Sequence, residues 1–145
     1  MKHKGSEQYG GCICGAVKFT VTGLPERVTV CHCAWCQRRT GTAFGTEVVF
    51  LTENVSFTST SMSTYRHHSD ESGRWVDVHF CTACGTNLGL TVEVRDGIRS
   101  IPAGAFDDPE WVDETGAEIR HVYTRSQRHW GNTANAVKTF EAYFD

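Results

Sequence analysis

The residues of this chain best suited to chemistry are its seven cysteines. They fall into three groups: Cys12-Ile13-Cys14, Cys31-His32-Cys33-Ala34-Trp35-Cys36 and Cys81-Thr82-Ala83-Cys84-Gly85. Disulfide pairing would strand one thiol, because the number is odd. A C-x-x-C loop places two sulfurs on one ion with backbone amides turned toward them, and Gly85 allows the tight backbone such a knuckle needs. A C-x-C pair in extended chain projects both side chains to one face. Cys12, Cys14, Cys81 and Cys84 therefore make a natural tetrahedral four-thiolate site for Zn²⁺, closed and structural. Cys31, Cys33 and Cys36 remain, three thiolates within six residues. They suit a second Zn²⁺ with one coordination position left open, as in catalytic zinc sites. The expectation is two zinc ions per chain, and four plus three uses every cysteine.

Two other readings of the second group stay open. A histidine as fourth ligand, from among His32, His67, His68, His79, His121 and His129, would close the site. A redox C-x-x-C is the other, although no thioredoxin-like βαβ pattern surrounds either pair. If the site is open, three thiolates donate much more charge than three imidazoles, so a bound water is less acidified and hydrolysis is disfavoured. Zinc is borderline-soft, and a fourth sulfur from a small-molecule thiol suits the vacancy. His32, between two ligands of an extended C-x-C, points away from the metal.

The elements that must hold these cysteines read as short strands. Runs at 16–21, 27–30, 45–50, 55–58, 75–80, 88–94 and 98–103 are rich in Val, Thr, Phe and Tyr. In the run 75–80, Val76, Val78 and Phe80 share one face. Asp96-Gly97 is a hairpin signal between two of the runs. Helix is scarce: a short piece at 34–40 stopped by Gly41, and a C-terminal helix at 133–144 with Thr133 as N-cap and Val137, Phe140, Tyr143 and Phe144 along one stripe. Stretches at 59–63 and 69–74 read as loops. Many short strands at close spacing predict an all-β sandwich or barrel-like fold.

Composition limits the possible functions. A chain of 145 residues with 39% hydrophobic and 21% charged residues fits one globular domain, 1–145. Its net charge of −3, with no Lys/Arg run beyond Arg38-Arg39, argues against a nucleic-acid partner. No apolar run approaches the roughly 20 residues of a membrane span, and the polar first ten residues lack the apolar stretch of a signal peptide. The expected compartment is the cytoplasm, where thiols stay reduced.

The segments Gly11-Cys12-Ile13-Cys14-Gly15-Ala16-Val17-Lys18-Phe19, Cys31-His32-Cys33-Ala34-Trp35-Cys36-Gln37-Arg38-Arg39-Thr40-Gly41 and Phe80-Cys81-Thr82-Ala83-Cys84-Gly85-Thr86-Asn87-Leu88 resemble the glutathione-dependent formaldehyde-activating enzyme family, also called the centromere protein V family. Ala103-Gly104-Ala105-Phe106-Asp107-Asp108-Pro109 and the region of Trp130 are similar to its C-terminal half. The resemblance implies an all-β, Mss4-like fold of small curved antiparallel sheets with a short C-terminal helix, a structural zinc on Cys12, Cys14, Cys81 and Cys84, and a second zinc on Cys31, Cys33 and Cys36. It also implies a carbon–sulfur lyase type of activity, in which glutathione and formaldehyde give S-hydroxymethylglutathione. On that reading Cys31, Cys33 and Cys36 are the catalytic group, and Arg38, Arg39, Tyr65 and Trp35 are candidates for holding the thiol substrate, the arginines by forking onto carboxylates. A non-catalytic zinc-stapled module that binds a thiol or a protein partner is the alternative.

Overall fold

Ten strands form three small sheets in the computed structural model, which describes residues 6–136 and 138–142. The first sheet has the order β1-β2-β5, from Glu7–Gly11, Lys18–Thr22 and Val55–Phe57. The second has the order β10-β3-β4-β9, from Ile119–Val122, Arg27–Cys31, Gly45–Leu51 and Ile98–Pro102. The third has the order β6-β7-β8, from Met62–His68, Trp75–Cys81 and Asn87–Val92. Every pairing is antiparallel except β10 with β3. Two short helices, α1 at Ala34–Thr40 and α2 at Glu110–Glu114, complete the α and β elements among the described residues.

Alternation drives the packing. Phe19 and Val21 on β2, Val28 on β3, Val48 and Phe50 on β4 and Ile101 on β9 point inward and meet Phe106 and Trp111. The Phe19 and Phe106 rings pack edge-on at 5.2 Å, a favoured geometry for aromatic pairs. A second cluster joins Val17 and Leu88 to Cys12 and Cys81, so the cysteines of the first and third sheets are part of an apolar seam.

All seven expected strands form. Three more were not expected, and each has a reason. The β1 sequence Glu7-Gln8-Tyr9-Gly10-Gly11 looks like a turn, yet its glycines serve close approach. A Cβ on Gly10 would lie 2.2 Å from the Ala105 carbonyl oxygen and 2.3 Å from the Phe19 ring. Strands β6 and β10 are largely exposed, so they carry little apolar alternation. The Asp96-Gly97 turn forms, with Gly97 at φ +79°, but it passes the chain between sheets. Strand β8 pairs with β7 and β9 with β4.

The C-terminal helix expected at 133–144 is corrected. Thr133–Asn135 makes a single 3₁₀ turn, and residues 138–142 are not helical. Phe140, meant for its buried stripe, is 59% exposed. A helix of about twelve residues is marginal in water without a buried face. Val137, Tyr143 and Phe144 lie outside the described residues. The helix at 34–40 is α1, closed as expected by Gly41 in the left-handed region at φ 70°.

Candidate metal and thiol site

The four-cysteine group is assembled by two turns from different sheets. After β1 the chain turns at Cys12–Gly15, where the Gly15 amide donates to the Cys12 carbonyl at 3.1 Å and Gly15 takes φ +80°. The C-x-C therefore lies in a turn, where an extended chain was expected, and Ile13 points out, 87% exposed. At the end of β7 the Gly85 amide donates to the Cys81 carbonyl at 2.8 Å, with Gly85 at φ +75°. These turns bring Cys12 Sγ to 3.5 Å from Cys14 Sγ, and Cys14 Sγ to 3.8 Å from Cys81 Sγ.

Such distances discriminate between chemistries. A disulfide would hold its sulfurs about 2.05 Å apart. Four sulfurs at about 2.3 Å from a tetrahedral ion lie about 3.8 Å from one another. All four Sγ atoms fall within 4.8 Å of one another, and no cysteine is in a disulfide. The surroundings favour thiolate at Cys12 and Cys84 but not at Cys14. There the Ala16 amide lowers the pKa, but the hydrogen bond with Cys12, burial and the other two sulfurs together outweigh it and leave that thiol at about 11. The Val17 amide donates to Cys12 Sγ at 3.2 Å and lowers that thiol's pKa. The Thr86 hydroxyl, 3.1 Å from Cys84 Sγ, helps lower the Cys84 pKa to about 6. The donor set fits a metal ion.

The second group sits on the second sheet and α1. Cys31 ends β3, Cys33 is the N-cap of α1, and Cys36 lies in its first turn. Cys33 Sγ accepts the Cys36 amide at 3.3 Å. The three sulfurs lie within 4.8 Å of one another, and no histidine nitrogen among the described residues joins them. The Cys36 thiol donates toward Cys31, which lowers the Cys31 pKa and raises that of Cys36, itself buried. This group too can hold a metal, with three protein ligands.

His32 turns away from the sulfurs, as expected, but into the protein, 3% exposed. Its Nε2 is 2.9 Å from His121 Nδ1, and burial, with the His121 ring beside it, pushes its pKa down. Gln37 holds this side of the site by donating from Nε2 to the His32 carbonyl at 2.8 Å and to the Ser126 carbonyl at 3.0 Å.

The four substrate-side candidates separate. Arg38 is exposed on α1. Arg39 is turned inward, its side chain 6% exposed, with Nη2 at 3.0 Å from Glu47 Oε1 and 3.8 Å from Cys36 Sγ. Trp35 lies with its ring 5.1 Å from that of His67 on β6, and the Arg39 guanidinium is 5.4 Å from the Trp35 ring. Tyr65 is 59% exposed, its ring 6.4 Å from His67. The third sheet thus lays an aromatic edge beside the three-cysteine site. Glu47 was missed by sequence reasoning. A lone acid in the apolar β4 run was its one signal, and it is 6% exposed.

Residues 7–126 match the model of the glutathione-dependent formaldehyde-activating enzyme family. The chain belongs to this family. The match takes in all seven cysteines and ends short of Trp130. Among curated proteins, none matches. Among solved structures, a crystal structure of a Rhodobacter sphaeroides protein is similar with a TM-score of 0.57 at 17% identity, over 77% of this chain and 99% of that one. This likeness supports the small-sheet, all-β architecture of the family member described here. No helix among its described residues is long and apolar enough to cross a membrane.

Proposed function

We propose that this family member is a zinc-dependent enzyme of carbon–sulfur lyase type that adds a small thiol, glutathione, to formaldehyde or a related carbonyl. The observation that carries this reading is the unequal division of sulfur. Four thiols close around one point, and three gather at another with no histidine among the described residues to complete the set. Zinc bound at the second group would supply an open, sulfur-compatible position that takes a substrate thiol as thiolate.

The chain's own residues have separate tasks in this reading. Cys31, Cys33 and Cys36 hold the metal and form the reacting centre. Trp35 and Tyr65 give the substrate an aromatic edge. Arg38, exposed on α1, takes a substrate carboxylate. Holding sulfur and carbonyl carbon in contact converts a bimolecular encounter into an oriented one, the main gain available for a reaction that already proceeds slowly in water. A carbon–sulfur bond forms, the carbonyl becomes a hydroxyl, and the thiol proton ends on that oxygen. Nothing is oxidised or reduced. All seven thiols are unpaired, which suits the cytoplasm.

The test is turnover of glutathione with formaldehyde above the spontaneous background, read together with metal content. Two zinc ions per chain, falling to one in Cys36→Ser with loss of turnover, is the expected result. One zinc in the native protein would remove the basis of the reading. Thiol binding without turnover would make the chain a zinc-stapled binding module.

A further inference from the structure

Between the second and third sheets the chain buries more positive charge than negative. Glu47, 6% exposed, accepts from Arg39 Nη2 through Oε1 at 3.0 Å and from the Ser100 hydroxyl through Oε2 at 2.7 Å. Arg99, 5% exposed, also feels Glu47 and donates to the Ser100 carbonyl. One carboxylate therefore serves two buried guanidiniums. Among the described residues, Arg39 Nε, Arg39 Nη1 and Arg99 Nη2 have no hydrogen-bond acceptor. His79, whose pKa burial and Arg99 push down to about 4, adds no charge at neutral pH. Burying an unmatched guanidinium costs several kcal/mol, so a compensating anion is expected nearby. Among the described residues, the other anion-forming group that Arg39 reaches is Cys36, whose Sγ lies 3.8 Å from Nη2. Three thiolates around a divalent ion carry one net negative charge, which balances the excess.

We propose that Arg39, clamped by Glu47, is a positioning residue that offsets the charge of the three-cysteine site and so allows a fourth, anionic sulfur to bind there. The inference rests on the thiol-ligand reading above and identifies what makes it electrostatically feasible. Without Arg39, a second negative charge on the site would face Glu47 opposed only by the more distant Arg99. A unit charge about 5 Å away at an effective dielectric of about 20 is worth roughly 3 kcal/mol, on the order of a hundredfold in affinity. The side chain is nearly inaccessible and points at ligand sulfur, so its effect falls on any thiolate, whatever is attached to it.

The test uses the full chain loaded with cobalt(II), titrated with glutathione and separately with 2-mercaptoethanol, which has no carboxylate. The sulfur-to-cobalt charge-transfer band reports binding. Arg39→Met should weaken both thiols about 10- to 100-fold, and Arg39→Lys, which keeps the charge, should stay within a few-fold of wild type. Metal content of the four-cysteine site should not change in either variant. Loss of glutathione binding alone would show a carboxylate clamp and overturn the inference, as would equal losses in Arg39→Met and Arg39→Lys. If Arg39→Met does not fold, Arg39→Lys decides by itself: a loss of tenfold or more for both thiols overturns the charge argument. A wild-type spectrum that ignores both thiols removes the thiol-ligand reading, and the inference with it. Wild-type binding with unchanged affinity in Arg39→Met removes the inference alone.

Discussion

Cys36 and Cys84 close C-x-x-C pairs of identical spacing, and the residue that follows each one separates their roles. Gly85 takes a left-handed conformation and completes a tight knuckle. Gln37 continues into α1, its amide bonded to the Cys33 carbonyl at 3.0 Å. The knuckle leaves Cys84 beside the Thr86 hydroxyl, whereas the helix carries Cys36 inward to Arg39. Their serine variants should differ accordingly. Cys84→Ser should release one zinc and lower Tm by at least about 10 °C, because a metal that binds only the folded chain contributes directly to folding. Cys36→Ser should release the other zinc with a much smaller change in Tm, since Cys31, Cys33 and Cys36 span only six residues. Calorimetry with metal analysis on both variants checks this, and equal Tm losses would contradict the assignment of one site to structure.

Among the elements, β8 and β9 show how sheets meet without pairing. Gly89 faces Ser100 so closely that a Cβ would stand 1.9 Å from the Ser100 carbonyl oxygen, and its φ is +93°. The Ser100 hydroxyl bridges the gap by accepting the Leu90 amide at 2.9 Å while donating to Glu47. Gly41 at the end of α1 also has a positive φ, but open space surrounds its missing Cβ. Gly41→Ala should cost about 1–2 kcal/mol, the left-handed penalty alone. Gly89→Ala adds backbone overlap and should cost about 3 kcal/mol or more. Urea denaturation of the two variants measures the contrast. Gly89→Ala should also disturb the Ser100–Glu47 contact and so weaken thiol binding, which Gly41→Ala leaves unchanged.

Across the whole molecule, the four-cysteine group ties the first sheet to the third, while the core around Phe50, Ile101 and Trp111 packs the second sheet against β2 and α2. Removing metal with a strong chelator should therefore loosen the protein unevenly. Amide exchange should rise around 12–17 and 81–88, and protection in β3, β4 and β9 should persist longest. Returning zinc should restore both the protection and Tm. Uniform loss of protection would mean that the core depends on the metal throughout.

The three cysteine motifs, the all-β class and the seven apolar strands were legible because each rests on local spacing. A C-x-x-C loop and a period-2 alternation declare themselves within a few residues. Strands β1, β6 and β10 were not legible, since Gly10, Tyr65 and Ile119 occupy them for reasons of space or pairing that only the neighbours supply. The 133–144 stripe had the right period but no buried face, because periodicity says nothing about what lies opposite it. Glu47 and Arg39 are eight residues apart in sequence, on a strand and a helix; the sequence marked Arg39 only as a fork for a substrate carboxylate and did not mark Glu47. Burying them together against Cys36 is a tertiary outcome. A buried charge acquires a role from what surrounds it, and those surroundings exist only in the folded chain.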